Sequence, residues 1–320
     1  MAAIDPYTGV LGLRLAKHLL RRSTFNFTKS TVEQFAQLTA DAAVDQLMIF
    51  PGYKYPEGPR DPNGDAWMTA TPSLYDDYAV YTPFQARMAI NGWINHELYQ
   101  NPSAQGKLAV WLHTCFIAST TGQFENFEYW RLMFWATNSD LQTLATKVTR
   151  DRMMLRYLNN DQNRKNSPNE NYAREFLELF TIRRGPQIAP GNYTNYTEED
   201  IQAAAKVLTG FTGNNTSFAN KDPETGLGRG HLVYNNHDTS DKIFSSAFGG
   251  QVISGAISDV DMERELDDFI AMVFGQLETA RSFVRRAFQF FVSDEITPLA
   301  ETDIIEPLAL QLFNSGYDVK

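Results

Sequence analysis

The sequence predicts a mainly α-helical protein, a multi-helical array with one irregular insertion that contains at most a short hairpin. Apolar residues recur at intervals of three and four along most of the 320 residues, as expected for amphipathic helices. Several of these segments begin with a capping side chain and end near a glycine. The alternation of short strands with helices that is typical of a parallel sheet does not occur in the sequence.

The first half of the chain has helical periodicity with one interruption. Leu13, Ala16 and Leu20 form one apolar stripe, and the same spacing extends from Lys29 to Met48. The segment 50–82 is rich in proline, glycine and tyrosine, so it cannot be helical throughout, and we expect a long aromatic loop there. The next helices are predicted at Thr82 to Tyr99, Gln105 to Ser119, Glu125 to Ala136, Asp140 to Val148 and Asp151 to Leu158.

The stretch SPNENYAREFLELF, residues 167–180, carries the strongest helix signal. Ser167 is a good N-cap, Pro168 suits the first helical position, and Glu170 stands three residues after the cap, as in a capping box. At helical spacing one face of this signature helix is apolar and the other is polar. The apolar face is Tyr172, Ala173, Phe176, Leu177, Leu179 and Phe180, and the polar face is Glu170, Asn171, Arg174, Glu175 and Glu178.

The rest of the chain contains the irregular segment and further helices. Thr197 caps a helix whose first turn is acidic and which ends at Gly210. The segment 211–250 has a weak helix signal and many Gly, Asn and Asp residues, and Gly230 to Tyr234 with Phe218 are its candidate hairpin. The last predicted helices are Ser258 to Phe274, Leu277 to Val292 and Asp303 to Phe313.

Composition excludes several classes of partner. The 28 basic and 38 acidic residues give a net charge of −10, which argues against binding nucleic acid. We expect no membrane span, because no apolar run is long enough. The sequence as given indicates a cytoplasmic protein, or an exported one if a leader was removed. The single cysteine, Cys115, is expected to be a small core residue.

Five motifs together resemble the large bacterial family known as domain of unknown function 1800. They are HLLRRSTFN (18–26), WLHTCF (111–116), MLRYLNNDQNRKNSPNENYAREFLELFTI (154–182), YTEEDIQAAAKVLTGFT (196–212) and HDTSDK (237–242). The resemblance spans nearly the whole chain, which we expect to form a single helical domain over residues 1–320. Members of that family usually continue further, so the domain is expected to extend past Lys320. The resemblance implies no particular reaction, because the family has none established.

Histidine and carboxylate groups are the candidates for a metal or acid/base site. The groups considered are His113, His237, Asp238, Asp241, Glu170, Glu175 and Glu178. The candidate catalytic set is Glu170, Arg174, Glu175, His237 and Asp238, which requires the signature helix to meet the HD motif in space. A divalent metal would be held by His237, Asp238 and Glu175. The alternative interpretations are a hydrogen-bonded core histidine at position 113 and an Asp-capped turn at positions 237 and 238.

Amide and aromatic groups at the start of the signature helix are candidates for ligand binding. Asn169, Asn171 and Tyr172 have the side chains that sugar hydroxyls and sugar faces require. The alternative is that the amides satisfy the turn backbone, which is their commonest role.

Two functions from different classes remain open. The favoured one is a binding or assembly protein with a carbohydrate or protein partner. In that protein the signature helix is a buried structural hub, with Arg174 bonded to Glu170 or Glu178. The alternative is a metal-assisted hydrolase that acts on a polar or carbohydrate-like substrate with the groups at 170–178 and 237–241.

Overall fold

The computed structural model describes residues 4–50, 83–99, 102–119, 123–213 and 220–320. Apart from Phe50, the predicted aromatic loop over 50–82 therefore lies outside the described residues, and so does Phe218. Within the described ranges the chain is mainly α-helical with short hairpins, which confirms the predicted fold class.

Helices form most of the described chain, in positions close to those predicted. They are α1 (Gly12–Ser23), α2 (Lys29–Phe35), α3 (Ala40–Leu47), α4 (Pro83–Leu98), α5 (Gln105–Cys115), α6 (Gln123–Ala136), α7 (Leu141–Arg150), α8 (Arg152–Tyr157), α9 (Asn171–Glu175, continued by the π-helical Phe176–Phe180), α10 (Glu198–Val207), α11 (Asp259–Phe274), α12 (Leu277–Phe291) and α13 (Pro298–Ala300, the π-helical Glu301–Ile305 and Glu306–Asn314). One connected cluster of buried apolar side chains extends from Leu11 to Tyr317, and it includes Cys115.

The helix predicted from Lys29 to Met48 is two helices, α2 and α3. The Thr28 side chain caps α2, and the Thr39 side chain accepts the Ala42 N–H and starts α3. Between them the carbonyl of Leu38 accepts the N–H of Leu11 at 2.9 Å. Because this bond ties the connection to the start of α1, the chain turns there instead of continuing as one helix.

Six short strands form three antiparallel two-stranded hairpins in the described residues. They are β1 (Gln187–Ala189) with β2 (Asn192–Tyr193), β3 (Phe211–Thr212) with β4 (His231–Leu232), and β5 (Lys242–Ile243) with β6 (Val252–Ile253). The predicted irregular segment thus holds strands of two hairpins rather than one. The β1–β2 hairpin lies before that segment, where Gly191 at φ +77° makes the turn.

The signature helix begins later than its capping signal indicates. The N–H of Asn171 is accepted by Asn169 Oδ1 at 3.0 Å, and the N–H of Asn169 by Asn163 Oδ1 at 2.8 Å. Because amide side chains hold this turn, α9 starts at Asn171, and the predicted capping box of Ser167 and Glu170 is wrong.

The π-helical end of α9 changes which side chains are buried. Phe176, Leu177 and Phe180 are buried as predicted, whereas Leu179 is 55% exposed and Glu178 is only 9% exposed. A π turn holds one more residue than an α turn, so the faces expected from α-helical spacing rotate. The placement of Leu179 on the buried face was therefore wrong.

The buried face of α9 packs on α11 through aromatic rings. The Phe176 ring centroid lies 5.3 Å from that of Phe269, and Phe269 lies 5.9 Å from Phe244 in the irregular segment. Phe269 has no exposed surface. One ring of α11 therefore contacts both the signature helix and the segment that follows β4.

Replacing Phe269 by alanine is expected to lower the free energy of unfolding by about 3–5 kcal/mol, because the cavity removes contacts to two segments. Urea unfolding followed by circular dichroism measures the change. Phe269→Leu fills most of the volume and should cost less than half as much. Equal losses in the two variants would contradict a packing role for the ring.

Candidate functional site

Arg174 lies at the centre of an ion-pair cluster on the polar face of α9. Its guanidinium is 3.2 Å from Glu170 and 3.7 Å from Glu178, the two partners predicted from helical spacing. It also makes a two-pronged contact with Glu198 of α10, with distances of 2.5 and 3.1 Å. Contact with these carboxylates raises the pKa of Arg174. The cluster thus joins α9 to α10 through a charge-assisted pair.

The Arg174 cluster is only partly buried. The Arg174 side chain is 33% exposed, so the expectation that it is largely buried is wrong, because this face of α9 lies at the surface beside the start of α10. Arg184 also contacts Glu178. Glu175 lies near Arg174 and Arg184. Its partial burial, followed by repulsion from Glu178, raises the pKa of the Glu175 carboxyl.

The predicted binding residues of the signature helix contact the protein itself. The Asn169 and Asn171 amides donate to the carbonyls of Asn159 and Leu158, at 3.3 and 3.0 Å. Tyr172 has no exposed surface, and its hydroxyl lies 2.8 Å from Thr149 Oγ1. In this arrangement the three side chains hold α9 in place.

His237 belongs to a second, fully buried cluster. Its Nδ1 donates to the carbonyl of Thr209 at 2.8 Å, and its Nε2 is 2.5 Å from Glu265 of α11. The other oxygen of Glu265 accepts from Lys242 Nζ at 2.5 Å. The side chains of His237, Glu265 and Lys242 have no exposed surface.

The His237 ring is held at both nitrogens, with Nδ1 at the Thr209 carbonyl and Nε2 at a Glu265 carboxylate oxygen. Asp238 flanks this cluster, and its carboxylate accepts from the N–H and hydroxyl of Ser240. These bonds, together with nearby Lys242, lower the pKa of Asp238 despite its partial burial.

The sequence-predicted site residues therefore fall into two groups. Glu170 at the start of α9, with Arg174 and Glu175 on that helix, forms one group, whereas His237 and Asp238 follow β4. The ring nitrogens of His237 face Thr209 and Glu265, not the predicted partner Glu175. In the ranges that the structure describes, no three His, Cys, Asp or Glu side chains are grouped as metal ligands.

His113 is not part of either group. Its ring stacks on Trp130 with centroids 4.5 Å apart, and burial lowers its pKa to about 4. His113 is thus a partly buried side chain that packs on an aromatic ring, and the contact that holds it is stacking rather than the expected hydrogen bond.

A polar cleft that the sequence analysis missed lies between α7, α11 and residues 220–232. It contains a cavity of about 280 Å³ and a more open one of about 420 Å³, and Arg150 and Arg229 line both. Arg150 is only 8% exposed. Its Nη1 is 2.9 Å from Glu263 of α11, while its Nε is buried without a hydrogen-bond partner.

Asp151 also lines the smaller cavity. Its Oδ1 accepts the N–H groups of Met153 and Met154, at 2.8 and 3.0 Å, and so starts α8. Burial raises the pKa of Asp151 to about 7 even though these bonds oppose it. A carboxyl that titrates near neutral pH in a cavity is a common feature of functional sites.

Two signals in the sequence mark the cleft. Lys147 and Arg150 place two cations one turn apart on α7. Gly228 and Gly230 flank Arg229, and a Cβ at Gly228 would lie 2.6 Å from the Arg152 guanidinium. The two glycines let this backbone lie against buried side chains. The sequence alone does not show which helix they contact, so it does not reveal that they line a cleft.

These observations describe a mainly helical protein with ionic clusters around Arg174 and Glu265 and a polar cleft between α7, α11 and residues 220–232. Residues 18–320 match the family described as Protein of unknown function (DUF1800), and the chain belongs to that family. Comparisons with curated proteins and with solved structures gave no match. None of the helices in the described ranges combines the length and apolarity that crossing a membrane requires.

Glu265→Gln is expected to lower the free energy of unfolding by about 3–5 kcal/mol, because Lys242 then stays buried without its counter-charge. Chemical denaturation measures the loss. Asp268→Asn on the same helix removes a carboxylate that is 47% exposed and paired with the surface residue Arg264, and it should cost less than about 1 kcal/mol. Glu265→Leu combined with Lys242→Met should be more stable than Glu265→Gln; a double variant as unstable as the single one would argue against the unpaired charge as the cause.

Asp151 should make the protein less stable as pH rises. Folding raises its pKa from 3.8 to about 7, so the folded state binds the proton more tightly than the unfolded state. The resulting stabilisation is complete below pH 3.8 and is lost as the pH rises from there to about 7. Asn at this position keeps an acceptor for the two N–H groups and does not titrate. The difference in unfolding free energy, wild type minus Asp151→Asn, should fall by a few kcal/mol between about pH 4 and 7. A difference that is constant over this range would show that Asp151 is not the titrating group.

Proposed function

We propose that this chain is a binding protein that takes a small polar ligand into the cleft between α7, α11 and residues 220–232. The observation that carries the proposal is Arg150. This cation is more than nine-tenths buried, lines both cavities, and has one partnered nitrogen, Nη1, among the described residues. Buried charges are normally fully hydrogen-bonded, so an incompletely matched one beside a cavity favours a ligand as the missing partner.

The size and lining of the cleft support a small ligand. The inner cavity, about 280 Å³, lies at the lower limit for ligand pockets. Apolar Leu132 and Leu227 line it together with polar Thr146 and Thr225. An apolar surface with a few convergent polar groups is typical of small-molecule sites.

In this proposal the signature helix is a structural hub that keeps the helices of the cleft in position. Arg174 joins α9 to α10 through Glu198, and Asp200 of α10 accepts the N–H and hydroxyl of Ser245, both at 2.7 Å. Glu265 then fixes α11 against His237 and Lys242. Since α11 carries Glu263 into the cleft, these links set the distance between the cleft walls.

The alternative proposal remains a metal-assisted hydrolase acting on a polar or carbohydrate-like substrate. It requires His237 to bind the metal together with Asp238 and Glu175. To do so the ring would have to exchange its contact with Thr209 or Glu265 for the ion, so either a buried carbonyl or a buried carboxylate would lose its contact with the ring. This cost favours the binding proposal.

A screen of polar metabolites by thermal shift, followed by calorimetry, should find a ligand whose affinity depends on the cleft. Thr146→Tyr places a ring in the inner cavity and should weaken binding at least about tenfold, or about 1.4 kcal/mol. Thr302→Tyr is the matched control at an exposed position on α13 and should leave the affinity unchanged.

Equal affinities in the two tyrosine variants would place the ligand outside the cleft and contradict the proposal. A stoichiometric metal in the purified protein that is lost in His237→Ala, but kept in Thr146→Tyr, would support the hydrolase instead.

A further inference from the structure

The cleft has a cationic end where two arginines share one carboxylate. Glu263 Oε1 is 2.9 Å from Arg150 Nη1 and 3.7 Å from Arg229 Nη1. Burial, followed by repulsion from Arg229, lowers the pKa of Arg150, so this end is short of negative charge. The Nε of Arg229 also has an amide partner, Asn220 Oδ1 at 3.3 Å, whereas the Nε of Arg150 has none. A second carboxylate at this point could form a charge-assisted hydrogen bond with the arginine pair, as Glu263 already does with Arg150.

The inner cavity is also lined by acidic groups. Asp151, which caps α8, and Asp267 of α11 both line it. Partial burial and the nearby Glu263 raise the pKa of Asp267. Among the described residues the Asp267 carboxylate has no ion-pair or hydrogen-bond partner, whereas Asp222 is paired with Lys147 at 3.0 Å. Asp151 and Asp267 are thus the carboxyl groups left to accept from a ligand.

The total charge of the cleft distinguishes between ligand classes. Lys147, Arg150 and Arg229 are set against Asp151, Asp222, Asp259, Asp267 and Glu263, so the lining has no excess of positive charge. A phosphate dianion would meet five carboxyl groups at short range, which is unfavourable in a partly buried site. A neutral sugar would leave both the arginine pair and the free carboxyl groups without counter-charges. A molecule with one negative and one positive group can pair with the two arginines and with the carboxyl groups, and it adds no net charge.

We infer that the ligand is a small zwitterion of the amino-acid class, with its carboxylate at Arg150 and Arg229 and its ammonium group toward Asp151 and Asp267. This inference rests on the proposed function of the cleft and names the chemistry of its ligand. Glu263 then acts as an internal competitor for the arginine pair when the ligand is absent. His231 of β4, whose Nε2 is buried without a hydrogen-bond partner, lines the more open cavity beside that pair. It offers one more polar contact to a longer side chain or a second residue.

Isothermal titration of the full chain with each of the L-amino acids tests the inference. At least one should bind, and its N-acetyl and carboxamide derivatives, which each lack one charge, should bind at least about tenfold more weakly. Glucuronate and inorganic phosphate, which have no ammonium group, should bind more weakly than the free amino acid.

Three variants locate the binding. Arg229→Gln should weaken binding of the amino acid at least about tenfold, because one of its two cationic partners is lost. Glu263→Gln should tighten it, because the internal competitor is gone, and a purely structural role of Glu263 does not predict a gain. Arg264→Gln removes a surface arginine from the same helix, paired with Asp268 at 3.1 Å, and should have no effect.

The outcomes separate this inference from the proposed function. If no amino acid binds, or if acetylation and amidation leave the affinity unchanged, the zwitterion is wrong. If glucuronate or phosphate binds instead and Thr146→Tyr abolishes it, the cleft is a ligand site of another class: the function stands and the inference falls. If an amino acid binds equally well to Arg229→Gln and Thr146→Tyr, it binds elsewhere and the inference falls.

Discussion

The buried contact of Glu265 with His237 and Lys242 is the interaction on which most of this structure depends. It places a carboxylate, an ammonium group and an imidazole in the interior with no exposed surface, and Glu265 contacts both of the other groups. The carbonyls of Thr209 and Asp238 are the further partners of His237 and Lys242. Removing one partner leaves an uncompensated charge in a low-dielectric interior, so the three segments that supply them must fold together. Through this contact the helix α11 is held against the irregular segment after β4, which has little regular hydrogen bonding of its own.

The signature helix supports the same assembly from the other side. Its aromatic face reaches Phe269 on α11, and its polar face reaches Glu198 on α10. The ion pairs of Arg174 lie partly in solvent and are individually weak, since exposed pairs contribute at most about 1 kcal/mol. The density of charge on this helix therefore has a structural explanation, although one less buried than the sequence led us to expect. The contact of Arg174 with Glu198 orients α9 and α10 relative to each other.

The proposed ligand site differs from both clusters in its electrostatic balance. The charges of the Glu265 cluster have protein partners, whereas the cleft keeps a buried arginine with an unpartnered nitrogen and a buried carboxyl whose pKa is raised to about 7. Burying polar groups without hydrogen-bond partners costs free energy. The helices α7 and α11 tolerate this cost because apolar side chains outside the cleft pack them in place. A ligand that supplies the missing charges would then bind without reorganising the helices.

The sequence alone determined the helical fold, most helix positions, membership of the family and the i,i+4 partners of Arg174, because these follow from periodicity, local caps and short spacings. It also indicated the alternative role of Asn169 that the structure favours. It did not determine that Glu265 is the partner of His237, that Glu198 joins the Arg174 cluster, or that α7, α11 and Arg229 enclose a cleft. Each of these depends on side chains far apart in the chain, and burial, which sets both the pairing of charges and their pKa values, is a property of how helices pack. The π turn that moved Leu179 outward has the same origin, since its extra residue rotates the faces that regular α-helical spacing predicts.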